Sequence, residues 1–401
     1  MIKLKKRDSE TDLWYVKRVK DCIHTRERYK RIISSCDIKW DAIEKDQQMK
    51  VQFLENILKK ELRYTEDFCC EEESDKIFLF IKEFIELLSN DEFLRRLLVE
   101  SKESVKEYVS KKKHFLLYIE KKYEKNTLEM MNNIVGLFIY YKLLDNPKNK
   151  VTIKQELYGR LNIRACPYCN RQFIDPIAIK NEENEKIEKR CNTGDLDHIL
   201  PKSKYPLYAV SLWNLTPCCK TCNETFKGSD ESPILNPWED GFGDRVILTL
   251  YPENNESISN IFFGDTENFS VRWKVLQSKK SQPQNTESKN NQSTKKITKE
   301  EKIKNAITMF RLNELYTTHR SEIRKLLATQ QKYPEVYDIF LSRFDNGAPE
   351  KTKPIEEEDY QTMVLARLTH DIHKMNFEID MLNNSELRDT GPKNAEDSDT
   401  E

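Results

Sequence analysis

The sequence predicts an α+β protein, with helical arms around a small metal-braced module and a short antiparallel sheet. Three observations carry this. Apolar residues recur at helical spacing on both flanks, two Cys-x-x-Cys pairs bracket the middle of the chain, and period-two alternation follows them.

The N-terminal helical domain is expected over residues 1–160, with helices from about residue 12. Ile77, Phe80, Ile81, Phe84 and Leu88 share one helix face, and Phe93, Leu94, Leu97 and Leu98 continue the pattern in the next helix. From Leu161 the texture changes to Cys, Pro, Asn and short apolar patches, which defines a module over 161–244 closing on the run LNPWEDGFGD. In the segment 245–276, Val246/Leu248/Leu250 and Phe269/Val271/Trp273/Val275 alternate with polar residues, the mark of half-buried strands. Residues 277–300 are polar and lysine-bearing without an aromatic, and read as a linker. Helices resume over 301–384, where Leu365, Leu368, Ile372, Met375, Ile379 and Leu382 step by threes and fours. That stripe fits packing on another helix of the same chain, or a seam between two copies. Residues 385–401 read as a disordered tail.

Composition excludes several classes. With 34% charged residues and a net charge of −1, the whole chain is not a basic nucleic-acid binder, so any basic footprint must be local. The most apolar run, Ile134 to Tyr141, falls far short of the ~20 residues a membrane span needs. The basic start is followed by no signal-type apolar stretch. Ten cysteines in a chain of 401 residues do not suit a short secreted disulfide scaffold, and four of them are paired at metal-ligand spacing. These features together predict a cytoplasmic protein with no membrane segment.

Cys166-Pro-Tyr-Cys169 and Cys219-Lys-Thr-Cys222 can each grip one ion from a tight turn, and together complete a closed tetrahedral Zn²⁺ site that is structural rather than catalytic. Between them lies Leu196-Asp-His-Ile-Leu-Pro-Lys-Ser-Lys-Tyr-Pro206. On a strand, Asp197 and His198 point to opposite faces, so one can hold a cation while the other faces a reacting water. Asn214 follows, then Asn223, which falls on the first turns of a helix beginning near Cys219.

This ordered set resembles the HNH endonuclease family, over roughly residues 161–245. The matching stretches are Cys166 to Cys169, Leu196 to Pro206, Trp213-Asn214-Leu215, Cys219 to Asn223, Lys227-Gly228 and the Leu235 to Gly243 run. Some similar proteins accompany ATPases in Septu-like and retron-associated phage defence. The resemblance implies a ββα-metal nuclease with His198 as general base, Asp197 and Asn223 as ligands of a catalytic Mg²⁺ or Mn²⁺, and Asn214 as the brace of the loop. The third motif position is Asn rather than His, which favours a hard, oxygen-preferring ion. Lys202, Lys204 and Lys227 are candidate phosphate contacts. The implied substrate is nucleic acid, double-stranded DNA ahead of RNA, and the implied partner an ATPase, since the chain carries no Gly-x-x-x-x-Gly-Lys signature. The competing reading is a zinc-knuckle module that binds nucleic acid or protein and cuts nothing.

Overall fold

The computed structural model describes residues 1–24, 40–56, 71–145, 147–148, 151–180, 187–191, 193–276, 297–332 and 360–375. They are mostly helical, with four two-stranded antiparallel sheets among the described residues. This is the α+β class that the sequence predicts. Of the linker expected over 277–300, residues 277–296 lie outside the described residues and Lys299 already begins a helix. The tail from 385 also lies outside them, and no described helix is long and apolar enough to cross a membrane. The chain divides into two compact units, one formed by Met1–Arg245, Gln277–Arg311 and Glu358–Val364, the other by Val246–Leu276, Leu312–Glu357 and Leu365–Glu401.

In the first unit, nine α-helices among the described residues precede the cysteine module: α1 (Ser9–His24), α2 (Trp40–Lys45), α3 (Gln47–Glu55), α4 (Glu71–Leu88), α5 (Asp91–Val99), α6 (Lys102–Tyr108), α7 (Lys113–Ile119), α8 (Lys125–Phe138) and α9 (Ile153–Leu161). The predicted apolar face of α4 is the core: Ile77, Phe80, Ile81, Phe84 and Leu88 are all buried. Phe80, Phe84 and Phe115 stack with ring centroids 5.4–5.9 Å apart. Burying each such ring contributes about 1.5–3 kcal/mol. Helix starts are set by local chemistry. Asn90 caps α5, Ser101 caps α6, and Thr152 with Gln155 forms a reciprocal capping box on α9. The apolar run from Ile134 ends α8 as a buried helix rather than a membrane segment.

Short strands β1 (Pro147–Lys148) and β2 (Val151–Thr152) precede α9, and β3 (Ile177–Lys180) pairs with β4 (Ile187–Cys191) in an antiparallel hairpin. The hairpin that places the chemistry is β5 (Gly194–His198) against β6 (Leu215–Cys219). Its register sets Gly194 opposite Cys219, Asp197 opposite Thr216 and His198 opposite Leu215. Gly194 is required here, because a Cβ would sit 2.8 Å from both the Cys218 carbonyl oxygen and the Ile174 Cβ. A π-helical segment, Thr221–Lys227, follows β6.

The chain start and a late segment both buttress this module. The Ile2 amide donates to the Pro167 carbonyl (2.8 Å), Leu4 to Pro237 (2.8 Å) and Phe242 to Met1 (3.1 Å). Gly241 admits this strand, since a Cβ would meet the Lys3 nitrogen at 2.5 Å. From the other direction, the Arg164 and Ala165 amides donate to the Gln361 carbonyl (2.8 and 2.9 Å). Phe310, ending the helix Lys299–Met309, stacks on Tyr168 at 4.4 Å.

In the second unit the alternating segments form β7 (Val246–Pro252) and β8 (Phe269–Val275), with Val246 opposite Val275. The outward amides of β8 are taken up by side chains of the helix Leu312–Thr317: Val271 donates to Thr317 (3.0 Å) and Trp273 to Asn313 (2.9 Å). That arrangement leaves those edge groups satisfied. Of the leucine-rich stripe, Leu368 and Ile372 are buried in the helix Ala366–Met375, while Leu365 precedes it in a left-handed backbone conformation. Ile379 and Leu382 lie outside the described residues.

Candidate active site and four-thiol cluster

Cys166, Cys169, Cys219 and Cys222 come together as expected from their spacing. Their sulfurs lie within 4.8 Å of one another, all four residues are buried, and Cys169 and Cys219 are 3.9 Å apart. Ligands held about 2.3 Å from a tetrahedral zinc are separated by roughly 3.8 Å, so the cluster fits the ion. Hydrogen bonding, that with Cys166 first, pulls the Cys169 and Cys219 thiols down toward the thiolate form. The first turn is closed by Asn170, buried in a left-handed conformation, whose amide donates to the carbonyls of Tyr360 (2.7 Å) and Met363 (3.0 Å). Cys218 is buried outside the cluster.

On β5 the pleat separates the acidic and imidazole groups. Asp197 is buried, and both its oxygens are occupied. The Lys227 ammonium sits 2.7 and 2.6 Å from them, and the Tyr168 hydroxyl donates at 2.6 Å. Lys227, itself buried, also donates to the His198 carbonyl at 2.7 Å. Lys227 was expected to contact phosphate; it is turned inward as the counter-ion of Asp197 instead. Asp195, two residues earlier and thus on the same strand face, faces Lys154 (3.2 Å), and the Asn223 side-chain amide donates to it at 3.5 Å. Asn223 is therefore bonded to Asp195 and not to Asp197. As arranged, Asp197 and Asn223 do not fit a shared divalent ion, because the ammonium of Lys227 already stands at the Asp197 carboxylate.

His198 projects from the other face. Its Nε2 lies 2.9 Å from the Ala209 carbonyl oxygen, and its ring meets Tyr141 edge-on at 5.0 Å. A carbonyl can only accept, so Nε2 carries the proton and Nδ1 keeps its lone pair. Burial pushes the imidazole down to about 4; Lys202 and Lys227 add to the depression, and the Ala209 bond and Asp197 oppose it. Asn214 is fully buried and ties the two ends of the intervening loop. It accepts from the Leu200 amide (2.6 Å) and donates to the carbonyls of Leu200 (3.1 Å) and Tyr208 (3.0 Å). Lys202 lies over the Tyr141 ring at 4.6 Å, and Lys204 pairs with Glu231 at 2.6 Å. Sequence reasoning missed Tyr141, Tyr168 and Asp195. Asp195 left a signal in its two-residue offset from Asp197, and Tyr168 in its place within the first cysteine turn.

The run after the second cysteine pair closes the module. The Trp238 indole donates to the Leu215 carbonyl (2.8 Å) and the Trp213 indole to Glu239 (2.8 Å), while Phe242 is buried.

Among known proteins, the chain is similar to the Septu protein PtuB of Bacillus thuringiensis, at 33% identity over 69 residues. The match covers 16% of this chain and spans about a quarter (26%) of that protein. No protein-family model matches the chain, and no solved structure matches it.

Proposed function

We propose that this chain is an HNH-type endonuclease that hydrolyses phosphodiester bonds of nucleic acid, double-stranded DNA ahead of RNA, in an anti-phage defence system with an ATPase partner. The observation that carries the reading is His198: a neutral imidazole with a fixed tautomer, on a hairpin clamped by Asn214 and anchored by four thiols. Nδ1 of such a ring can accept the proton of a water attacking phosphorus, as a general base at neutral pH. The four cysteines would hold one Zn²⁺, which supplies cross-linking of segments fifty residues apart and no chemistry at phosphorus. The likeness to PtuB supports the place in a Septu-like system. The inferred Mg²⁺ or Mn²⁺ requirement calls for Lys227 to leave Asp197.

The Asp197–Lys227 pair favours a second reading, a zinc-braced module that binds nucleic acid without cutting it. Nicking of supercoiled plasmid by the purified chain, with Mg²⁺ or Mn²⁺ titrated in, separates the two. His198→Ala is expected to abolish nicking with zinc content and helicity unchanged. Full activity in that variant would sink the assignment of the base, and no nicking by the parent chain under any divalent ion favours the binding module.

A further inference from the structure

Three lysines lie over two tyrosine rings, one of which packs on His198, and two of the lysines belong to the helical arm rather than to the cysteine module. Lys202 lies 4.6 Å from the Tyr141 ring, which in turn packs on His198. Three residues on, Tyr205 carries Lys121 at 3.6 Å and Lys102 at 5.5 Å from its centroid. The turn that presents Lys202 and Tyr205 together is closed by the Tyr205 and Lys204 amides donating to the Pro201 carbonyl (2.9 and 3.1 Å). Among the described residues, no carboxylate lies within ion-pairing range of Lys102, Lys121 or Lys202. Their neighbours differ: Lys106 and Lys122 share Glu120 at 2.5 Å each, and Lys204 is held by Glu231.

Each arm lysine carries a local cost, electrostatic for Lys102 and conformational for Lys121. Lys102 is the first residue of α6, at the positive end of the helix dipole, where an acidic residue is favoured. Lys121 follows α7 in the left-handed region (φ 56°), with its amide bonded back to the Tyr118 carbonyl at 3.0 Å. Glycine is the residue that such a helix end favours. The charge of Lys121 suits a helix C-terminus, but its left-handed backbone and the place of Lys102 are not accounted for by their own helices, and both side chains converge on Tyr205.

We infer that Lys102, Lys121 and Lys202, with Tyr205 and Tyr141, form a phosphodiester-binding rim that lays a nucleic-acid backbone across the His198 face. The inference rests on the nuclease reading for its substrate, but binding can be measured without cleavage. The rim uses cations to hold phosphates, contacts that position a strand without reading its sequence. The tyrosines keep the ammonium groups extended without neutralising them.

The test is fluorescence anisotropy on the full chain in a His198→Ala background, with labelled random-sequence duplex DNA and single-stranded RNA as separate probes. Lys121→Gly relaxes the backbone, so its Tm should equal or exceed that of the parent while its affinity falls. The combined Lys102→Gln, Lys121→Gly, Lys202→Gln variant should bind about tenfold or more weakly. Its log–log salt slope should drop by roughly 2 to 3, because each lost phosphate contact on duplex DNA removes about 0.9. Losses on the DNA arm or on the RNA arm support the rim and identify the polymer. Parent-like affinity and slope in the triple variant, or no binding of either probe by the parent, overturns it. If the rim variants lose affinity while His198→Ala still cuts, the rim stands and the assignment of the base fails.

Discussion

Asp197 illustrates how one residue's role depends on a partner thirty positions away. A carboxylate this buried is tolerated because Lys227 and Tyr168 satisfy it, so removing either charge leaves the other stranded. Lys227→Met and Asp197→Ala are each expected to cost about 3–5 kcal/mol in denaturant unfolding, whereas the double substitution should cost less than their sum. Near-additive losses would show that the pair is not coupled. Asn214→Ala should cost about 1–3 kcal/mol for each loop group left unsatisfied, read in the same experiment. His198 adds a pH signature. Its folded pKa lies below its unfolded value, so the unfolded chain binds the proton more readily. Relative to His198→Asn, the protein should lose stability as pH falls from about 6.5 toward 4, with a constant, pH-independent offset above that window. Strand alternation made the opposite facing of Asp197 and His198 legible in advance. The partners were not legible, because which cation fills a buried carboxylate is decided by tertiary closure rather than by spacing along the chain.

At the scale of elements, the β5–β6 hairpin is held at three kinds of point: the thiol cluster, the Asn214 clamp and the tight approach at Gly194. Gly194→Ala should therefore destabilise the hairpin although alanine suits a strand, because its methyl meets backbone and side chain at 2.8 Å. Strong chelation, or Cys219→Ser, should release one zinc per chain and lower the unfolding midpoint of the first unit. A metal analysis showing fully active, stable protein without zinc would remove the structural role from the cluster. The helices were readable from apolar spacing, and the late helix begins at Lys299 because Thr298 and Glu301 form a capping box there. The β3–β4 hairpin was not readable. Its strand residues Ile177 and Ile179 are exposed, so no buried face imposes an alternating pattern on the sequence.

Across the whole molecule, sequence order and spatial order part company. The first unit takes in Met1–Arg245 and then reclaims Gln277–Arg311 and Glu358–Val364. The resemblance marked residues 161–245 as a module, yet Phe310 stacks on its Tyr168, and Tyr360, Gln361 and Met363 supply acceptors to its first turn. A chain ending at Arg245 is expected to lose cooperative thermal unfolding and to bind zinc weakly. Retention of both would show that the late segments are dispensable. Such returns leave no local signature, since each relies on a few bonds that long loops bring home at small additional entropic cost per residue.

These long-distance ties also govern when the protein can finish folding as it leaves the ribosome. Asn170 waits for acceptors 190 and 193 residues further on, and the Lys5 amide for the Gln361 side chain 356 residues away. At about 5–20 residues per second, translation from the first cysteine turn to its late buttress takes on the order of 10–40 s. During that interval the cysteine pairs emerge and can take up metal, while their outer supports are still unmade. A nascent chain stalled or released before residue 363 thus carries the hairpin without its scaffold, and only synthesis past that point completes it.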